Sequence, residues 1–421
     1  MERVKKVLLM TVILLAYIGV VWFGVMLVIS DTEMGRPMLV SYNTLGKAVG
    51  SQEKQLQQPI KDTLEWIEQE TAVEKKVTQY IEKKLAEMTL EQKLAQMMIL
   101  TNEHDIIETN LRTYQPGGII FFEVDFSGKT LERVKSRIST LQSYMQTPLL
   151  VGVDEEGGEV SRLKTLAEPN VPAFRGARSL TEEGKDAVRQ DTFQKMQYLK
   201  EMGINLNFAP VADIVNSRGS YMYARSAGGE AKVVSEYVET VLSVMQDQQV
   251  IGCVKHFPGY GDNVNTHDGL AHDSRTLAEY EEKDFLPFQA GIEVGVDMVM
   301  VSHIIMESVD KDNPASLSLK VHDILRDDFG FDGIVIADDL NMQAILENMT
   351  IEEATAKAFL AGNDMIFSAN FAASMKGAIS AVNQGLLTEE QINESVGRIL
   401  RMKIKNELIV LEDVHGITNN E

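Results

Sequence analysis

A single cysteine, Cys253, excludes an intramolecular disulfide and any multi-cysteine zinc or iron–sulfur site. It lies in the apolar run VIGCV, where a buried core thiol is the expectation. Basic residues are outnumbered, with 40 Lys+Arg against 62 Asp+Glu and a formal net charge of −22. Nucleic-acid binding and peripheral attachment to anionic lipid both need basic patches that displace counterions, so neither is expected here. No Gly-x-x-x-x-Gly-Lys phosphate loop occurs. At 421 residues and 44% hydrophobic content, the chain is long enough to bury a substantial core.

One hydrophobic run is long. VLLMTVILLAYIGVVWFGVMLVI, Val7 to Ile29, carries no charge. At a helical rise of about 1.5 Å per residue it spans a hydrocarbon core of roughly 30 Å. Small-x-small cleavage chemistry is not evident after Ile29, and the apolar stretch exceeds that of an ordinary signal peptide. Arg3, Lys5 and Lys6 precede the run whereas Asp31 and Glu33 follow it. The positive-inside rule then places residues 1–30 as a cytoplasmic tip and single-pass cell-membrane anchor, with the rest outside. Residues 31–80 read as a polar stalk that is partly helical, 81–410 as the folded domain and 411–421 as a tail.

From Leu94 onward, short apolar runs alternate with amphipathic segments. AQMMIL, GGIIFF, PLLVGV, INLNFAPV, VIGCVK, VDMVMVSH, GIVIAD and DMIFSA have strand character and are bounded by Gly, Pro or Asp. TLERVKSRISTLQSYMQ, AVRQDTFQKMQYLKEMG, AKVVSEYVETVLSVMQDQQ and LAEYEEKDFLPFQAGIEVG have helical periodicity. Apolar strands separated by helices imply a parallel sheet covered on both sides, and eight such units favour a single (β/α)8 TIM-type barrel of the α/β class. Such a barrel carries its active site at the C-terminal ends of its strands. The polar residues that follow the strands are Asp154, Asp213, the pair Lys255 and His256, His303, and the pair Asp338 and Asp339.

No His-x-His pair is present, so a zinc hydrolase site is not expected, and Lys255 reads as part of a polar turn beside His256 rather than as a Schiff-base lysine. No metal and no cofactor is expected. A carboxylate at a strand end facing a loop rich in His and Asp is equipment for cutting a glycosidic bond.

KHFPGYGD, VGVDEEGG, NFAPVADI, EEKDFLPFQAGIEVGVDMVMVSHI and GIVIADDLNM resemble the signature segments of glycoside hydrolase family 3, in particular its bacterial β-N-acetylhexosaminidase branch. The resemblance runs from about Ile81 to Asn406. It implies that Asp338, opening the D-D-L motif, is the nucleophile, and that His267, on the loop after the fifth strand, is the acid/base. It also implies that Asp154, Arg225, Lys255 and His256, with Arg162 as a weaker candidate, hold the hydroxyls of the terminal sugar. The family loop reads approximately KHFPGHGDT, two variable residues, then DSH. Here Tyr260 stands where a histidine is common, and Asn265-Thr266-His267 replaces D-S-H in a loop one residue shorter. Asn265 therefore occupies the position of the aspartate that orients the histidine, and a neutral amide does only part of that work. Asp262, Asp268 or Asp273 could supply the missing charge.

The expectation is a membrane-anchored extracellular exo-acting β-glycosidase working with retention through a covalent glycosyl-aspartate. Its substrate would carry terminal N-acetylglucosamine, on a glycan or a muropeptide. A β-glucosidase or β-xylosidase, a phosphorylase using phosphate as acceptor, and a catalytically impaired sugar-binding protein remain open alternatives.

Overall fold

The structure, a computed structural model, describes Gln69 and residues 71–102, 106–262 and 269–411. The Val7–Ile29 run, most of the stalk, Asn265, His267 and the tail from residue 412 lie outside the described residues. Among the described residues no helix is long and apolar enough to cross a membrane. The compact unit spans Gln79–Asp413, and residues 71–78 ahead of it are helical.

Eight parallel strands close into a barrel. They are β1 (Met98–Thr101), β2 (Gly118–Phe121), β3 (Leu150–Val153), β4 (Leu206–Asn207), β5 (Ile251–Phe257), β7 (Met298–Val301), β9 (Ile334–Ala337) and β10 (Met365–Ser368). Around the barrel the order is β1, β2, β3, β4, β5, β7, β9, β10, and β10 returns to β1 with Met98 opposite Ile366 and Ile99 opposite Phe367. Nearly every strand residue is buried, because one side faces the barrel interior and the other faces the helical ring. Cys253 is fully buried in β5, and burial pushes its thiol pKa well up.

All eight runs read as strands from sequence contain one. Three features differ. INLNFAPV supplies only two ladder residues, since Pro210 offers no N–H, although Val211 still bridges to Lys255. A second, two-stranded parallel sheet pairs β6 (Ala271–Asp273) with β8 (Ile304–Met306) beyond the ends of β5 and β7. The segment LAEYEEKDFLPFQAGIEVG forms a short helix over Leu277–Glu279, a wide π turn over Tyr280–Asp284 and a second helix over Phe285–Glu293. Pro287 sits in the first turn of that second helix, where its missing N–H interrupts the bonding that a continuous helix would need.

Helix starts follow local chemistry. Thr89, Thr276, Thr350 and Thr388 each accept from the backbone N–H three residues on, while Gln92, Glu279, Glu353 and Gln391 reach back to the cap N–H. These reciprocal boxes satisfy donors that an uncapped helix end leaves without partners.

Candidate active site

The C-terminal ends of the strands converge on a cleft of about 190 Å³ whose lining includes Asp154, Glu156, Arg162, Arg225, Lys255, His256 and Asp338. With Asp339, which also lines it, four carboxylates stand among three cations and His256, so little net charge is confined there.

Lys255 and His256 belong to β5 itself, which corrects the expectation of a polar turn at this point. A lysine can sit 2% exposed in a strand because its charge is matched. Its Nζ lies 2.7 Å from Asp154 Oδ1 and 2.7 Å from Glu156 Oε1. Burial works against the ammonium, yet the two carboxylates outweigh it and hold the Lys255 pKa above the usual lysine range. Glu156 also takes a two-pronged contact from Arg225, with Nε at 2.9 Å and Nη2 at 2.7 Å. Burial would raise the Glu156 pKa, but Arg225 and Lys255 outweigh it and keep the carboxyl well below the usual range. Arg162 lies 3.8 Å from Asp154 at the other side of the same network.

Glu156 carries this network, although Asp154 alone drew notice in VGVDEEGG. The signal was available in the alternation of an extended chain, which puts Asp154 and Glu156 on one side and Glu155 on the other. Glu155 turns away, fully buried, to accept the N–H groups of Arg162 at 2.7 Å and Leu163 at 3.0 Å. Gly157 makes the reversal possible, since its φ is +90° and a Cβ there would meet the Arg175 carbonyl oxygen at 2.2 Å.

His256 is aimed by a buried partner. Its Nδ1 lies 2.7 Å from Asp213 Oδ2, so Nδ1 carries the proton and Nε2, 3.4 Å from Arg225 Nη2, faces the donor. Asp213 Oδ1 accepts the Tyr260 N–H at 2.8 Å, and the Tyr260 ring meets the His256 ring edge-to-face at 5.2 Å. Tyr260 thus packs on the cleft histidine.

Asp338 follows β9 directly and accepts the Asp339 N–H at 2.8 Å, while its own N–H donates to the Val301 carbonyl at 2.9 Å. Burial raises its pKa, but His256, His303, the Asp339 amide and Lys255 together hold the carboxyl below the usual aspartate value. Such a carboxylate stays ionised at neutral pH, with Oδ1 held by the Asp339 amide. The Asp339 carboxylate is engaged elsewhere, accepting from Asn341 N at 2.9 Å and Asn341 Nδ2 at 2.8 Å. His303, fully buried, places Nε2 2.9 Å from the Asp339 carbonyl and Nδ1 2.7 Å from Ser316 Oγ. It holds the turn that presents Asp338.

The loop after β5 leaves the described residues at Asp262 and returns at Gly269. Asp262 Oδ1 accepts the backbone N–H groups of Asn216 at 3.1 Å and Ser217 at 2.9 Å. Asp273 pairs with Arg275, which also reaches Asp284 at 2.6 Å. Among the described residues no group of three His, Cys, Asp or Glu is placed to hold a metal ion.

Residues 89–402 match the Glycosyl hydrolase family 3 N terminal domain. The chain belongs to glycosyl hydrolase family 3. The members of this family act on O-glycosyl bonds, and so does this enzyme. Its family 3 domain is 33% identical over 261 residues to a Beta-hexosaminidase of Nitrosomonas eutropha, a match that covers 60% of this chain and 74% of that one. A Beta-N-acetylglucosaminidase/beta-glucosidase of Cellulomonas fimi is 28% identical over 340 residues, with 76% and 58% covered. Among solved structures, a glycoside hydrolase family 3 beta-N-acetylglucosaminidase from a Paenibacillus species superposes with a TM-score of 0.73 at 30% identity. That superposition covers 78% of this family 3 chain and 65% of the Paenibacillus chain.

Proposed function

We propose that this chain is an exo-acting, retaining β-N-acetylglucosaminidase that removes terminal N-acetylglucosamine from glycans or cell-wall fragments. The observation that carries the reading is the ionised Asp338 in one cleft with the Asp154–Lys255–Glu156–Arg225 network. In the first step Asp338 attacks the anomeric carbon and the aglycone oxygen departs with a proton from His267. In the second, water gives its proton to His267 and attacks the same carbon, and two inversions leave net retention. An imidazole titrates near neutrality, so one group serves in both directions. Asp154, Arg162, Arg225, Lys255 and His256 grip the hydroxyls of the sugar, where charged partners make the stronger hydrogen bonds. Asn265 orients His267 without charge, and slower turnover than an aspartate would allow is the expected consequence.

The Val7–Ile29 run, with Arg3, Lys5 and Lys6 ahead of it, supports an N-terminal anchor that keeps the domain outside the cell membrane. The mixed name of the Cellulomonas relative favours β-glucosidase activity as a second reading.

The test is hydrolysis of nitrophenyl N-acetyl-β-glucosaminide, β-glucoside and β-xyloside by wild type and Asp338→Asn. The N-acetylglucosaminide is expected to be turned over by wild type and the variant to lose nearly all of that rate. Preference for glucoside or xyloside would replace the sugar assignment, and equal rates in both proteins would overturn the mechanism.

A further inference from the structure

The loop whose sequence contains His267 leaves β5 through an outgoing limb that ends at Asp262, and it comes back from Gly269 along a return limb that becomes β6. One side chain ties the two limbs together. Arg275 donates to Asp273 of the return limb through Nε, 3.0 Å from Oδ1 and 2.9 Å from Oδ2, and through Nη2, 2.6 Å from Oδ2. The same Nη2 donates to the Gly259 carbonyl of the outgoing limb at 3.2 Å. A Cβ on Gly261 would meet Nη2 at 3.0 Å, so the outgoing limb lies directly against the guanidinium. Nη1 reaches Asp284 Oδ2 at 2.6 Å, and the guanidinium carbon lies 4.3 Å from the centre of the Tyr280 ring. Tyr280 and Asp284 both belong to the wide π turn that follows β6, which thus backs the clamp from the helical ring.

The chemistry calls for an arginine. Its planar fork of five donors serves three partners in fixed directions, which the single ammonium of a lysine cannot do. Asp273 and Asp284 are 3% and 2% exposed, and carboxylates so buried need a matched charge. Apolar packing and backbone bonds complete the base. Tyr260 of the outgoing limb and Ala271 of the return limb share one buried cluster with Met222 and Ile304, and the Glu307 N–H donates to the Asp273 carbonyl at 3.0 Å. Both carboxylate oxygens of Asp273 are spent on Arg275, so its charge serves the base of the loop and not the histidine.

Resting on the glycosidase reading above, we propose that Arg275 is a positioning residue for proton transfer, one that locks both limbs of the loop and so sets the aim of His267 at the leaving oxygen. Arg275 does not line the cleft, and none of the residues assigned to the sugar hydroxyls bonds to it. It therefore acts on the reaction only through the loop. In sequence His267 stands six residues before Asp273 (273 − 267), so what holds Asp273 holds the nearer end of the segment that contains the histidine. With the neutral Asn265 in place of a charged partner, more of the aiming falls to this anchored base. A positioning error of about 1 Å in a catalytic group is enough to cost up to a hundredfold in rate.

The test compares two N-acetyl-β-glucosaminides that differ only in their need for a proton. Dinitrophenolate departs as the anion, whereas the poorer leaving group of the 4-methylphenyl glycoside needs protonation. Arg275→Lys keeps the charge and loses the fork, and Asp284→Asn keeps the shape and weakens one prong. Thermal unfolding checks that each is folded, and if Arg275→Lys is not, Asp284→Asn carries the comparison. Each variant is expected to lower kcat/KM for the 4-methylphenyl glycoside about tenfold and to leave the dinitrophenyl glycoside within about twofold. His267→Ala should show the same selectivity, with a loss on the order of 10²–10⁴-fold for the 4-methylphenyl glycoside. Equal losses on both substrates, or none on either, would make Arg275 a purely structural residue and overturn the inference while the glycosidase reading stands. A His267→Ala protein without the selectivity would overturn it too, because the group to be aimed would not be the acid. If wild type hydrolyses neither glycoside, the inference and the glycosidase reading fall together.

Discussion

The Asp213 carboxylate holds Nδ1 of His256 at 2.7 Å, and Asp213 is completely buried. This contact fixes which ring nitrogen is protonated and therefore which one is turned toward Arg225 and the cleft.

Asp213→Asn should keep the shape and release the tautomer. A hydrogen bond to a charged group contributes about 1.5–3 kcal/mol, so kcat/KM is expected to fall by roughly tenfold to a hundredfold. Thermal unfolding checks that the barrel persists, and steady-state kinetics with the preferred glycoside reads the loss. Kinetics equal to wild type would mean that the His256 orientation does not matter to the reaction.

Glu156→Gln leaves Arg225 and Lys255 sharing fewer charges in a buried site, and breaking a buried pair from one side costs about 3–5 kcal/mol. Because the folded-state pKa of Glu156 is depressed, its stabilisation is present above the ordinary carboxylate range and is lost as pH falls below about 4.3. Urea unfolding should therefore show wild type well ahead of Glu156→Gln at pH 7, with the gap narrowing in acid. A gap independent of pH would refute the electrostatic account.

Lys403 gives the opposite sign. It is fully buried at the end of the barrel away from the cleft, donates to Gln96 Oε1 at 3.0 Å, and burial pulls its pKa down to about 7. Between that value and the ordinary lysine value near 10.4 the unfolded chain binds the extra proton, so stability rises with pH. From pH 7 to pH 9 wild type should gain about 2 kcal/mol relative to Lys403→Met. Parallel stability curves for the two proteins would contradict the assignment.

The barrel was legible because fully buried parallel strands are apolar along their whole length, and Gly, Pro or Asp punctuates them. The β6–β8 sheet was not, since Ala271-His272-Asp273 is too short and polar to stand out, and Ile304–Met306 reads as a continuation of β7 past His303. Asp154, Arg162, Arg225, Lys255, His256 and Asp338 could be named from motifs, and the fold brings all six to one cleft. Glu156 and the aiming role of Asp213 depend on partners 99 and 43 residues away in sequence (255 − 156 and 256 − 213), a distance over which local patterns carry no information. His303 was visible as a polar residue at a strand end, but its hold on the Asp339 carbonyl exists only in three dimensions. Asn265 and His267 lie outside the described residues, so their roles rest on the sequence.

The central claim is that Asp338 becomes covalently glycosylated, and trapping tests it most directly. A ring-fluorinated N-acetylglucosaminyl fluoride destabilises the oxocarbenium-like transition states, while its good leaving group still lets the first step proceed, so the intermediate accumulates. Intact-mass measurement of wild type should show one added glycosyl unit, and peptide mapping should place it on Asp338, with no adduct in Asp338→Asn. An adduct on another residue, or rapid turnover of N-acetylglucosaminides with no adduct at all, would contradict the account.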